Sequence, residues 1–226
     1  MKITYYGHAC VGVEFNGTYL LFDPFISGNE LASEINIDEI EADFILVSHG
    51  HQDHVLDVER IAKKCNATIV ANYEVATWFE NKGLKTHPMN HGGKWNFDFG
   101  TVKYVNAIHS SALPDGSYGG NPGGFVVWSS KECFYFAGDT ALTMDMKLIP
   151  MTCPSLDVAI LPLGDNFTMG FEEAILASDF IECNLIYGCH FDTFGFIKID
   201  LKQVANAFEE SGKNVFLPKI GESITI

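Results

Sequence analysis

His49, His51, Asp53 and His54 fall within the six-residue run His49-Gly50-His51-Gln52-Asp53-His54. Imidazole and carboxylate groups are natural ligands of a borderline-soft divalent cation such as zinc. A tight turn can aim several of them at one point, and Gly50 gives this turn backbone freedom. A solvated polar loop is the competing explanation, and three histidines with an aspartate packed this closely argue against it.

Such a cluster needs an element to carry it. Phe44-Ile45-Leu46-Val47 is a wholly apolar run, as expected of a strand covered on both faces, and it leads straight into the histidines. Upstream, Ile3 and Tyr5, then Val11, Val13 and Phe15, alternate with period 2. Asn16-Gly17 signals a two-residue hairpin, with the return strand at 18–22. Downstream, the spacing predicts helices over 55–64, 73–81, 171–182 and 200–211, and strands over 68–70, 101–108, 124–129, 132–137, 158–161 and 185–187. A last pair of short strands is expected at 214–217 and 222–226. β-rich text bracketed by helices in both halves predicts an α/β protein with two packed sheets and helices outside. No linker or composition shift divides the chain, so residues 1–226 are expected to form one domain.

Composition limits the partners. Fourteen Lys and Arg against 29 Asp and Glu give a net charge of −15. That balance disfavours nucleic acid, which requires cationic surface, and disfavours anionic membranes. The six cysteines form no Cys-x-x-Cys pair, and most lie in or beside apolar runs. With no signal-peptide pattern at the N-terminus and no apolar run near membrane-spanning length, the cytoplasm is the expected location.

Other motifs extend the pattern. Phe22-Asp23-Pro24 follows the first hairpin, and Ala107-Ile108-His109-Ser110, Phe136-Ala137-Gly138-Asp139-Thr140 and Gly188-Cys189-His190 come later in that order. Together with His-x-His-x-Asp-His, these markers resemble the metallo-β-lactamase superfamily across residues 22–190. Gly7-His8-Ala9 and the small size most resemble its branch of small metal-dependent hydrolases and ascorbate-6-phosphate lactonase.

The resemblance implies a four-layer αββα sandwich of two mixed β-sheets flanked by helices. It also implies two divalent metal ions, with His49, His51 and His109 on the first and Asp53, His54 and His190 on the second. Asp139 would bridge them. Zinc is the expected metal, with manganese, nickel and iron sharing the same ligand types. The implied activity is hydrolysis of a small ester, lactone or phosphoester by a bridging hydroxide, with Asp53 and His54 as catalytic groups. An RNA-processing phosphodiesterase and a non-catalytic metal- or ligand-binding module are the alternatives.

Asp23 either orients a ligand histidine or simply forms the turn before Pro24. His8 either faces the metals and substrate or is a core histidine satisfied by backbone. Asn166 and Thr168, in the loop after strand 158–161, are candidates for substrate contact, and Thr168 is equally placed to cap the next helix. Asp192 and Thr193 stand just beyond His190 and are candidates of the same kind. His87 and His91 match no ligand position and read as loop residues, with His91 a weak candidate. The glycine-rich stretch 118–124 either offers N–H groups to an anion or is only a turn.

Overall fold

A computed structural model describes all residues from Met1 to Ile226. The first sheet is built from β1 (Lys2–Gly7), β2 (Cys10–Phe15), β3 (Thr18–Phe22), β4 (Phe44–Val47), β5 (Thr68–Asn72) and β6 (Thr86–Met89). The second contains β7 (Lys94–Phe97), β8 (Gly100–Asn106), β9 (Gly123–Trp128), β10 (Cys133–Phe136), β11 (Val158–Pro162), β12 (Leu185–Cys189) and β13 (Asn214–Phe216). The last strand, β14 (Ser223–Thr225), returns to the first sheet. Each sheet has seven strands, in the orders 14-1-2-3-4-5-6 and 13-12-11-10-9-8-7. Both mix parallel and antiparallel pairs.

The helices are α1 (Gln52–Val55), α2 (Val58–Cys65), α3 (Tyr73–Glu80), α4 (Leu148–Thr152), α5 (Phe171–Phe180) and α6 (Leu201–Glu210). Between the sheets lies a core that includes Phe15, Phe22, Phe125, Phe134 and Phe136, with Phe22 and Phe136 ring centres 4.6 Å apart. Burying each such phenyl contributes about 2 kcal/mol. A second apolar cluster joins the outer face of the first sheet to α2 and α3, and a third joins the second sheet to α4, α5 and α6. This is the expected αββα sandwich. No helix is long and apolar enough to cross a membrane.

Asn16 and Gly17 both take positive φ, +49° and +78°, as a type I′ hairpin turn demands. The helix expected over 55–64 is instead split between α1 and α2. Between them, Asp57 turns its carboxylate to the N–H groups of Ile26 (2.6 Å) and Ser27 (2.9 Å). Both expected terminal strands are present, in different sheets. β13 lies parallel to β12 and β14 antiparallel to β1, so the chain crosses from one sheet to the other between them. Each fills the open backbone groups of a different sheet edge. His87 is not in a loop but in β6, where its ring packs on Trp95 and Phe97. Pro88 is tolerated beside it because β6 is an edge strand.

Strand direction positions the chemistry. β1, β3 and β4 run the same way in the first sheet, as do β8, β10, β11 and β12 in the second. His8, Asp23, the 49–54 run, His109, Asp139 and His190 all follow the C-terminal ends of these strands.

Candidate metal centre

The ring nitrogens of His49 and His51 turn toward one another, Nε2 to Nδ1 at 2.9 Å, and His109 completes that group. Asp53, His54 and His190 form a second group together with His8. In each group the ligand-type atoms lie within 4.8 Å of one another. Asp139 reaches both: its Oδ2 is 3.0 Å from His190 Nε2, 3.3 Å from His54 Nε2 and 3.6 Å from His109 Nε2. All seven positions singled out in the sequence therefore meet in one place.

Local backbone makes this possible. His51 precedes α1 in extended conformation (φ −61°, ψ 147°), so Asp53 and His54 occupy the first turn of a helix that starts just after it. Gly138 takes φ +63°, and a Cβ there would stand 2.6 Å from Ser48 Cβ. Only glycine lets the end of β10 bring Asp139 this close to the β4 loop.

Asp23 lies behind the histidines and is fully buried. Its Oδ2 accepts from His54 Nδ1 at 2.8 Å, and its Oδ1 accepts the Ser48 N–H at 2.7 Å. The Ser48 hydroxyl also donates to Oδ2, which leaves its oxygen to accept from His49 Nδ1 at 3.0 Å. These contacts fix both tautomers and leave the Nε2 atoms of His49 and His54 directed into the centre. Asp23 is also a turn residue, with φ +42°, so both sequence readings hold.

His8 is likewise fully buried, with φ +56°. Its Nε2 donates to Asp53 Oδ2 at 3.1 Å, and its Nδ1 lies 3.1 Å from the Thr193 hydroxyl. Burial lowers this imidazole to about 4, so it is neutral at pH 7 and its Nδ1 accepts from Thr193. Its side chain is satisfied at the centre and not by backbone.

A cleft of about 1080 Å³ opens onto the site. Thr193 lines it, but Asn166 and Thr168 do not; Phe167 between them does. Thr168 does not cap α5 either, because Gly170 occupies the cap position. Asp192 accepts from Ile199 N–H at 3.1 Å, and His91 Nε2 donates to the Pro122 carbonyl at 2.9 Å, both outside the cleft. In the glycine-rich loop, the N–H groups of Gly119 and Gly123 donate to the carbonyls of Ser111 and Ser48, so they are spent on backbone. The apolar cleft residues that went unnoticed in the sequence include Phe25, Leu31, Leu56, Phe194 and Phe196. Their one signal is an aromatic or aliphatic residue standing in a loop next to a ligand motif.

A model described as a beta-lactamase superfamily domain matches residues 2–190. The chain belongs to the metallo-β-lactamase superfamily. Among curated relatives of this hydrolase, a UPF0173 metal-dependent hydrolase of Flavobacterium johnsoniae is 58% identical over 226 residues, the full length of both chains. Its counterpart in Christiangramia forsetii is 57% identical over 227 residues, again full length. Among solved structures, Igni18, a metallo hydrolase from the archaeon Ignicoccus hospitalis, superposes with a TM-score of 0.89 at 28% identity, covering 99% of this chain and 97% of its own. An isothiocyanate hydrolase from Delia radicum gut bacteria shares the fold, with a TM-score of 0.81 at 18% identity and coverage of 100% and 99%. The protein is a metal-dependent hydrolase of the metallo-β-lactamase fold.

The residues of this hydrolase suit a cation. His54 Nε2, Asp139 Oδ1 and His190 Nε2 are buried atoms with no hydrogen-bond partner, a costly arrangement unless something else engages them. Burial would raise the Asp139 carboxyl, but the His190 and His54 charges outweigh it and hold the group well below the usual carboxylate range. Burial would drive the proton from His54, but the Asp139 and Asp23 carboxylates outweigh it and hold the imidazole well above its usual value. Burial keeps His49 well below, hence neutral.

A cation can use His54 Nε2 only after that proton leaves, so metal uptake by the stripped hydrolase at pH 7 should release the His54 proton. Loading should then strengthen as pH rises towards the raised pKa of His54 and weaken as pH falls. Calorimetric zinc titrations in buffers of different ionisation enthalpy read this release. A heat independent of buffer would contradict it.

Proposed function

We propose that this hydrolase cleaves a small ester, lactone or phosphoester at a centre of two divalent cations. His49, His51 and His109 would hold one, Asp53, His54 and His190 the other, and Asp139 both. The observation that carries this reading is the placement of Asp139 Oδ2 within 3.0–3.6 Å of histidines from both groups. Bound there, such cations acidify water and polarise the oxygen of the group under attack.

The chain's own residues do the rest. Asp23 and Ser48 hold His54 and His49 in the tautomers that present Nε2. Asp53 lines the cleft with Oδ2 anchored by His8, which makes it the group placed to take a proton from the attacking water. Burial acts to raise Asp53, yet the His8 hydrogen bond and the charge of His54 outweigh it, so it enters the reaction ionised. Zinc suits the nitrogen and oxygen donors, as do manganese, nickel and iron. The net charge of −15 supports a small-molecule substrate over nucleic acid.

Purified protein should retain about two cations per chain and hydrolyse members of a lactone and ester panel. His51→Ala removes one donor from the first group, and activity should fall about 100-fold or more with loss of metal. Elemental analysis beside the assay reads both. Turnover that survives both chelation and His51→Ala would refute the assignment.

A further inference from the structure

We infer that the substrate carries an uncharged aromatic or comparably bulky apolar group, seated on a wall of phenylalanines that runs from the metal centre to the mouth of the cleft. This rests on the hydrolytic reading for the reacting bond and concerns the remainder of the molecule.

The wall has an inner and an outer part. Inside, Phe25 and Phe194 stand 6.4 Å apart, and both pack against the ring of His8, at 5.5 and 5.2 Å. His8 in turn holds Asp53, so the apolar surface begins at the centre itself. Outside, Phe167 and Phe196 meet edge to face at 6.2 Å. Leu31 and Leu56 line the same cleft. Phe25 is 6% exposed, Phe167 48% and Phe196 77%, so burial falls steadily towards the mouth.

These side chains come from separate loops after β3, β11 and β12, and Leu56 follows α1. Phe25 is wedged in place: a Cβ on Gly28 would stand 2.4 Å from its ring and 2.7 Å from Leu56 Cδ2. Phenyl groups left in water beside a reaction centre mark a surface that a ligand covers.

Charge narrows the ligand further. Among the residues lining the cleft there is no Lys or Arg, whereas Glu30, Asp53 and Asp139 are acidic. The cations of the centre can meet the group that reacts, but no side chain offers positive charge to a second anionic group. A phosphate or carboxylate elsewhere on the substrate would face carboxylates and phenyl rings without a counter-charge. The volume of about 1080 Å³ leaves room for a ring-sized substituent.

Three methyl esters with different acyl groups test this: phenylacetyl, acetyl and the mono-anionic succinyl. In each the acyl–oxygen bond breaks, the oxygen of water going to the acyl carbon and a proton to methanol. On the zinc-loaded protein, kcat/KM for the phenylacetyl ester should exceed that for the acetyl ester about 10- to 100-fold, with the succinyl ester slowest. Phe196→Ala and Phe194→Ala should each narrow the phenylacetyl-to-acetyl ratio, chiefly through KM. Phe196 is exposed, so its substitution leaves the core untouched.

Binding of phenylacetamide, followed by NMR saturation transfer against acetamide, is a readout that needs no turnover. Phenylacetamide should bind and Phe194→Ala should weaken it. Equal turnover of all three esters, or preference for succinyl, would overturn the inference and leave hydrolysis standing. Phenylacetamide binding through the phenylalanines without turnover of any ester would uphold the wall and remove simple carboxylic esters from the proposed substrates. A dimer in sedimentation that Phe196→Ala dissociates would assign the exposed phenyls to a second copy instead.

Discussion

Asp139→Ala is expected to lower kcat/KM by at least about 1,000-fold and to strip metal from the protein, the largest loss at any single position. Asp139 is 3% exposed, and its Oδ2 stands within 3.6 Å of His54, His109 and His190. It meets these histidines at Nε2, the side turned into the centre, whereas Asp23 meets His54 from behind at Nδ1. Two divalent cations held side by side repel strongly, and a buried anion between them is the direct electrostatic remedy. Because the carboxyl is held well below its usual range, it supplies that charge over the whole working range of pH. Asp139→Asn separates charge from shape, since the amide keeps the size but not the negative charge. It should lose metal nearly as fully as the alanine variant. Metal content by elemental analysis, with circular dichroism to show the fold persists, decides the matter. Two cations retained by folded Asp139→Asn would disprove the shared-ligand role.

What could be read in the sequence follows from how local each signal is. Residues 49–54 are legible because ligand types crowd one turn, whereas His109, Asp139 and His190 stand singly in the chain and are legible only through motifs that resemble those of the superfamily in order. The Asn16-Gly17 hairpin is legible because two successive positive φ angles leave few alternatives. β6 was not, since Thr86-His87-Pro88-Met89 has neither alternation nor an apolar run, and it becomes a strand only because β5 offers an open edge. The terminal strands are legible as strands but not in their partners. Their sequences carry β-character but no record of which edge they fill.

The centre and the cleft differ in the same way. Polar residues advertise chemistry, which drew the reading of loop 164–170 to Asn166 and Thr168; the structure aligns Phe167 with the cleft instead. A phenylalanine in a loop has no local pattern, and only tertiary convergence of three loops turns Phe25, Phe167, Phe194 and Phe196 into one surface. Ser48 was invisible for a related reason. Its hydroxyl matters only because Asp23, 25 residues earlier in the chain, comes to lie against it.

Asp23→Ala should destabilise the protein by about 3–5 kcal/mol and weaken metal binding by about 10- to 100-fold, although Asp23 is placed on neither cation. Its carboxylate accepts from His54 Nδ1, Ser48 N–H and the Ser48 hydroxyl, all within a fully buried pocket. Alanine leaves these donors without an acceptor where water does not reach, and each orphaned group costs about 1–3 kcal/mol. Alanine also fits the φ of +42° poorly, whereas asparagine tolerates it. Asp23→Asn is therefore the informative partner. It preserves the turn and one acceptor oxygen, so most of the stability should return. It cannot hold His54 Nδ1 and both Ser48 donors with a full negative charge, so the tautomers of His54 and His49 lose their constraint together. Urea unfolding of the stripped protein reads stability, and zinc titration reads affinity. Metal affinity that recovers fully in Asp23→Asn would reduce Asp23 to a turn residue. Affinity that stays low while stability recovers would mean that one buried carboxylate orients histidines of both groups.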